Sequence, residues 1–284
     1  GDNEYGPYDP VYIQERMTSV IDWNKYMKAL NARNPNLMFR NRSSELFFLP
    51  SRKVSLKTPE GEMGIEISGS YLPKSEMAIL DIIASNDWTR PIYFNFTSIN
   101  SLKINMKDYV VQEGLVYKLQ STPHTGREIP VDLDQSYENL VLKANYSNLA
   151  NSSVYFNYED YHARMINPLR FAFNQLISEY LKAGLKEKAQ EVTKFAYQNL
   201  YFDHLRPSYA DLQMGQILRA TGEEDQGEIL IRRTIRFYQQ HIEDLLATNQ
   251  TPSRNDLAIL QEGARLLNDP QVNQAYSRLI AKIR

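Results

Sequence analysis

The chain reads as an α+β fold: a small mixed α/β domain over residues 1–125, an irregular connector over 126–166, and an α-helical hairpin array over 167–284. Three patterns predict it. Over residues 37–68 short apolar runs alternate with polar turn clusters, as in short strands. Over residues 73–96 helical spacing gives way to a brief apolar run, so a helix feeds an internal strand. From residue 167 onward apolar residues recur at helical spacing, punctuated by Gly and Pro, and nearly all of that stretch reads as helix.

Taken in order, Gly6, Pro7 and Pro10 make an extended or turning start. Asp22 stands before Trp23, Tyr26, Met27 and Leu30, an N-cap and the apolar stripe of a helix that Asn34-Pro35 ends. The runs LMFR, ELFFLP, KVSLK and MGIEIS are strand candidates, with a hairpin turn over residues 59–61. Pro73 opens a helix whose face is Met77, Leu80, Ile83 and Ala84. Asn86-Asp87 stop it, and Ile92 to Phe96 form the strand after Arg90-Pro91. A second short helix is expected to carry Tyr109 and Val110, broken by Gly114 before the strand LVYKL. Pro123, Gly126 and Pro130 look like a linker, followed by a polar stretch rich in Tyr and Asn.

In the helical part, Asn167-Pro168 reads as a cap with a first-turn proline. Leu169, Ala172, Phe173, Leu176, Ile177 and Tyr180 make its stripe. Gly184 ends that helix, and Ala189, Val192, Phe195 and Ala196 continue on the next. A third starts at Pro207 and ends at Thr221-Gly222, a fourth runs from about Asp225 to Ala247, and Pro252-Ser253 and Pro270 start two more. The segments YLKAGLKEKAQEV and QILRATGEEDQGEIL resemble each other, with Gly184 and Gly222 lying 38 residues apart. That offset is near the ~34 residues of tetratricopeptide units. Helices of roughly 13–15 residues turned by Gly suggest stacked hairpins, an arrangement that supports or binds more often than it catalyses. The acids Glu223, Glu224 and Asp225 suit the N-terminal end of a helix dipole.

Composition removes several functions. The net charge of −2 argues against an electrostatic nucleic-acid face. With no cysteine there is no disulfide, thiolate nucleophile or Cys-bound zinc. His124, His162, His204 and His241 lack metal-ligand spacing and read as surface or capping residues. No metal and no cofactor is expected, since no Gly-rich phosphate loop or Ser/His/Asp arrangement is present. No apolar run reaches the ~18 residues of a membrane span. Gly1 stands where a start Met would, so a processed or trimmed chain with sequence upstream is expected. The 19 tyrosines suit packing at rims of helices and strands, or wet, sugar-facing surfaces. Sequon-like triplets at Asn41, Asn95, Asn145 and Asn151 are read as chance in so Asn-rich a chain.

Two motifs stand out: Asn86-Asp87-Trp88-Thr89-Arg90-Pro91-Ile92-Tyr93-Phe94, and Tyr109 with Glu113-Gly114 and Val116-Tyr117-Lys118-Leu119. With a strand ending in Leu49-Pro50 and the Leu169-Arg170 step opening the helical part, they resemble the soluble C-terminal region of a family of bacterial multi-span membrane proteins related to protein O-mannosyltransferases. The resemblance implies a parent glycosyltransferase that uses lipid-linked sugars, with its catalytic acids between N-terminal spans outside this chain. It implies that this chain lies at the periplasmic face of the bacterial inner membrane as part of a longer protein. Its partners would be the membrane-embedded part of the same polypeptide and an acceptor protein or peptide, with no nucleic acid. The alternatives are a freestanding helical scaffold and an independent carbohydrate-active enzyme.

Five residues are candidate binding positions, and none is a candidate catalyst: Trp88, Arg90, Tyr93, Glu113 and Tyr117. Trp88 could stack on a sugar while Arg90 holds a phosphate or carboxylate and Tyr93 flanks them. The structural alternative has Trp88 closing a helix–strand corner, Arg90 paired with Asp87 or Asp81, and Tyr93 packed in the sheet. Glu113 with Asp108 could be an acid/base pair for glycoside chemistry. A charge pattern at a helix end, with Lys107, is the plainer reading.

Overall fold

The computed structural model describes residues 11–41 and 44–283. The opening turn expected around Gly6 to Pro10, and part of the Asn41 triplet, lie outside them. Two compact units form, residues 1–132 and 133–284, and the architecture is α+β: small sheets in the first, helices in the second.

Among the described residues the first unit has ten strands: β1 (Val11–Ile13), β2 (Ile21–Asp22), β3 (Met38–Asn41), β4 (Ser44–Leu49), β5 (Lys53–Thr58), β6 (Gly61–Glu66), β7 (Tyr71–Leu72), β8 (Tyr93–Asn95), β9 (Val110–Glu113) and β10 (Val116–Leu119). Its helices are α1 (Trp23–Asn31) and α2 (Lys74–Ser85). They make three sheets, ordered β3-β4-β1-β7, β2-β5-β6 and β8-β10-β9. Asp22 caps α1 as expected, its carboxylate accepting from the Lys25 N–H at 3.0 Å. The helix ends at Asn31, before Asn34-Pro35, because Arg33 turns left-handed at φ 53°. Pro59-Glu60 join β5 to β6, with Thr58 opposite Gly61.

Trp23, Leu56, Met63, Ile65, Leu72 and Leu80 anchor the common core on which α1, α2 and the sheets pack. Trp23 is tied in place by its indole N–H, which donates to Asp81 at 2.7 Å. Glu76 on α2 is buried, and its Oε2 accepts the backbone N–H groups of Lys103 and Ile104, each at 2.8 Å. A carboxylate so placed satisfies two loop donors that have no strand partner.

In this unit one element differs from the expectation. Residues 107–109 are a single 3₁₀ turn, and the second helix expected to carry Val110 is instead strand β9. Glu113 pairs with Val116, leaving Gly114-Leu115 as a two-residue hairpin turn with Gly114 at φ 77°. Glycine first in such a turn matches the twist of the flanking strands. The β-branched pair Val110-Val111 also favours a strand over the helical spacing read there.

In the second unit α3 (Leu133–Tyr137) runs into a π-helical stretch, Glu138–Lys143. A 3₁₀ turn at Ser147–Ala150 and a π-helical stretch at Tyr158–Ile166 follow, so the residues before 167 are more helical than their polar sequence suggests. Tyr146 fixes this segment to the array, edge-on to Phe173 and Phe195. Then come α4 (Asn167–Lys182), α5 (Lys186–Leu200), α6 (Tyr209–Ala220), α7 (Glu224–Ala247), α8 (Arg254–Leu267) and α9 (Pro270–Ile283). Gly184, Gly222 and Asn268, all at positive φ, turn the three successive hairpins.

Asn167 is not an N-cap, since helical backbone runs unbroken from Tyr158 into α4 and its Oδ1 finds no partner among the described residues. Pro168 lacks an N–H and its ring crowds the preceding turn, and the wider π-helical turn just before it accommodates both. α6 and α8 start on capping boxes, Ser208 with Asp211 and Ser253 with Asp256. α7 spans 24 residues, close to the run expected from about Asp225 to Ala247, and its buried stripe from Gly227 to Ile242 packs on both α6 and α8. Helices α6 and α7 touch through Gly215 and Gly227: a Cβ on Gly227 would lie 2.5 Å from the Gly215 carbonyl oxygen.

The array is also held by a buried ion pair. Arg170 and Asp211, both fully buried, meet at 2.9 Å. Arg170 further donates through Nε and Nη2 to the Leu200 carbonyl and through Nη1 to that of Arg206. Asp211 Oδ2 also accepts the Ser208 N–H. One guanidinium thus links α4, the end of α5 and the start of α6, which gives the Leu169-Arg170 step a structural meaning.

Candidate functional site

The five candidate residues do not assemble into one pocket. Asp87 and Trp88 are consecutive non-glycine residues at φ 48° and 57°, a sparsely populated backbone state. Asn86 bridges this corner: its carbonyl accepts the Thr89 N–H and its side-chain amide donates to the Arg90 carbonyl at 2.8 Å. The Trp88 ring packs half-buried on the core and its indole N–H donates to the Lys57 carbonyl on β5 at 3.2 Å. Arg90 is exposed and pairs with no carboxylate among the described residues. The expected pairing with Asp87 or Asp81 does not form, and the Asp81 carboxylate accepts instead from the Trp23 indole.

The sheet β8-β10-β9 sorts the remaining three by strand alternation. Tyr117 faces inward, opposite Phe94 and stacked on Phe96 at 5.5 Å, and burial pushes its hydroxyl pKa up. Tyr93 faces outward and is exposed, opposite Lys118 rather than packed inside the sheet. Glu113 lies on that same outer face yet is 5% exposed, and Lys118 Nζ reaches its carboxylate at 3.2 Å. The hydrogen bond that the Lys118 ammonium donates to Glu113 holds its pKa above the usual range. Tyr93, Lys118 and Glu113 therefore share a face, with Trp88 and Arg90 at the corner before it. Lys118 was missed, because only pairing register reveals a neighbour five residues along a hairpin. Asp108 precedes β9 and Glu113 ends it.

Three of the Asn-x-Ser/Thr triplets have a local role. Asn95, Asn145 and Asn151 each turn the side-chain oxygen back to the N–H two residues on, at 2.8, 2.9 and 3.0 Å. These are Asx turns, for which that residue order is suited.

A second site, unread in the sequence, is a cleft of about 770 Å³ within the helical unit. The π-helical stretch before α4 brings Tyr158 and His162, α7 brings Arg233, Arg236 and Phe237, and the loops bring Tyr155, Phe156, Asp203 and Arg206. Arg233 Nη2 donates to the carbonyls of Phe202 and Leu205, each at 2.8 Å, which fixes the loop before α6. The Arg206 guanidinium lies 3.8 Å from the Tyr158 ring centre and 5.3 Å from that of Phe237. His162 is 4% exposed and not a surface residue. Burial first, then the nearby Arg170, Arg206 and His204 charges, lower its pKa to about 4, so it is neutral near pH 7. Its ring stacks near Tyr158 and meets Phe156 edge-on. The one available signal was Tyr158 and His162 four residues apart, close to the aromatic pair Tyr155-Phe156. Among the described residues no group of three or more His, Asp or Glu side chains is placed to hold a metal ion.

Fold and sites together define an α+β chain with a strand-rich unit, a helical-hairpin array and an aromatic, arginine-lined cleft in the array. Residues 57–139 match the family profile described as TMEM260-associated domain 2. The matched stretch, under a third of the 284 residues, contains all five candidate positions and ends before the cleft. No curated protein and no solved structure matches the chain. No helix among the described residues is long and apolar enough to cross a membrane.

Proposed function

We propose that the chain is a non-catalytic binding part of a longer membrane protein, a glycosyltransferase of the bacterial inner membrane that uses lipid-linked sugars. In this reading it stands on the periplasmic side, with a tetratricopeptide-like array, and holds an acceptor protein or a partner segment beside the membrane-embedded part of the same polypeptide. The match of residues 57–139 to a TMEM260-associated domain carries the reading. The outward face of Tyr93, Lys118 and Glu113, with the exposed Arg90 at the corner, lies within that stretch and supplies a contact surface. The Lys118 contact at 3.2 Å, which occupies the Glu113 carboxylate, supports a non-catalytic reading of this face.

The test is turnover by the isolated chain, offered lipid-linked and nucleotide sugars with peptide acceptors. The reading predicts no transfer or hydrolysis above buffer. Turnover that Glu113→Gln abolishes would overturn it in favour of an independent carbohydrate-active enzyme. A second reading, a freestanding helical scaffold, is favoured by one observation: the cleft lies outside the matched residues.

A further inference from the structure

We infer that the cleft of the helical unit binds an oxyanion, a carboxylate or a phosphate monoester, carried on a flat ring. The charge points that way: Arg206, Arg233 and Arg236 line the cleft with one acid, Asp203, which Arg233 pairs at 3.5 Å, while Arg206 also lies 4.0 Å from Asp256. Arg236 on α7 is exposed and has no partner among the described residues. A guanidinium can only donate hydrogen bonds, and a cleft lined by three of them, one unpaired, suits a ligand rich in acceptor oxygens.

The ring follows from the rim. Tyr155 is 85% exposed beside Phe156, and an exposed tyrosine next to a cationic wall offers a stacking surface at the cleft mouth. The volume is that of a small-molecule site. Phosphate and carboxylate share the recognition chemistry here, so the probes must tell them apart. The inference is independent of the membrane-protein reading, since none of these residues belongs to the matched stretch.

The full chain is titrated by calorimetry, at neutral pH and low salt, with phenyl phosphate, benzoate and benzyl alcohol. At least one anion binds at sub-millimolar concentration and the alcohol does not; the tighter anion identifies the charged group. Arg236→Gln, at an exposed position, weakens that anion at least about tenfold while the circular dichroism spectrum stays unchanged. Tyr155→Ala weakens phenyl phosphate more than inorganic phosphate. No binding of either anion at about 10 mM, on the order of 3 kcal/mol of affinity, would overturn the inference. Equal affinity in Arg236→Gln and the parent chain, or binding of benzyl alcohol as tight as that of the anions, would overturn it too.

Discussion

Arg170→Met is the substitution whose cost follows most directly from the structure. The guanidinium is fully buried, and Met fills similar volume without its charge. The change removes the 2.9 Å contact to Asp211 together with donations to the Leu200 and Arg206 carbonyls. Asp211 then remains fully buried, with only the Ser208 N–H and hydroxyl on its Oδ2. Breaking one side of a buried pair costs about 3–5 kcal/mol. That is a large share of the ~5–15 kcal/mol by which domains are stable. Asp211→Ala costs a similar amount, plus about 1 kcal/mol for the lost cap of α6. The double variant strands no charge, so it is more stable than the sum of the two losses by about 2–3 kcal/mol. Urea unfolding followed by far-ultraviolet circular dichroism measures all three. A single Arg170→Met loss under about 0.5 kcal/mol, or strict additivity in the double variant, would refute the reasoning.

Three further substitutions or conditions are accessible to the same assay. Glu76→Ala leaves the Lys103 and Ile104 N–H groups without their acceptor and costs about 2–4 kcal/mol; a neutral result would show that water replaces the carboxylate. Gly227→Ala places a methyl 2.5 Å from the Gly215 carbonyl oxygen. Its strain of about 1–3 kcal/mol outweighs the ~1 kcal/mol that Ala adds to helix propensity, and a stabilised variant would contradict the close α6–α7 contact. His162, with a pKa lowered from 6.5 to about 4, contributes stability that is complete above pH 6.5 and lost as pH falls towards 4. Across that window the unfolded chain binds the extra proton, so stability drops by up to about 3 kcal/mol. His162→Gln removes that slope, and a parent chain with the same slope as this variant would count against the buried neutral imidazole.

Much of the fold was legible because local signals and packing agreed. Asp22 capping α1, the turn at Pro59-Glu60, the Met77, Leu80 and Ile83 face of α2, and the Gly184 and Gly222 turns each need only near neighbours. Strands of two or three residues such as β1, β2 and β7 were not legible, since their pairing partners are distant in sequence. β9 was misread because helical spacing and strand alternation are hard to separate over four residues. Asn167-Pro168 carried the local chemistry of a cap, yet the preceding residues continue as π-helix. The site followed the same division. That Trp88 would close a corner was readable from its place between helix and strand. That Glu113 meets Lys118 requires hairpin register. The cleft gathers residues 152–240 from separate loops and helices, and no motif spacing encodes it.

The central claim, that this chain is a binding part of a longer membrane protein, is tested most directly by the native gene product. Source cells are fractionated, and the band recognised by an antibody to this chain is sized. The account predicts a band much larger than 33.0 kDa, released from membranes only by detergent. A band near 33.0 kDa in the fraction released without detergent would contradict it and leave the freestanding scaffold.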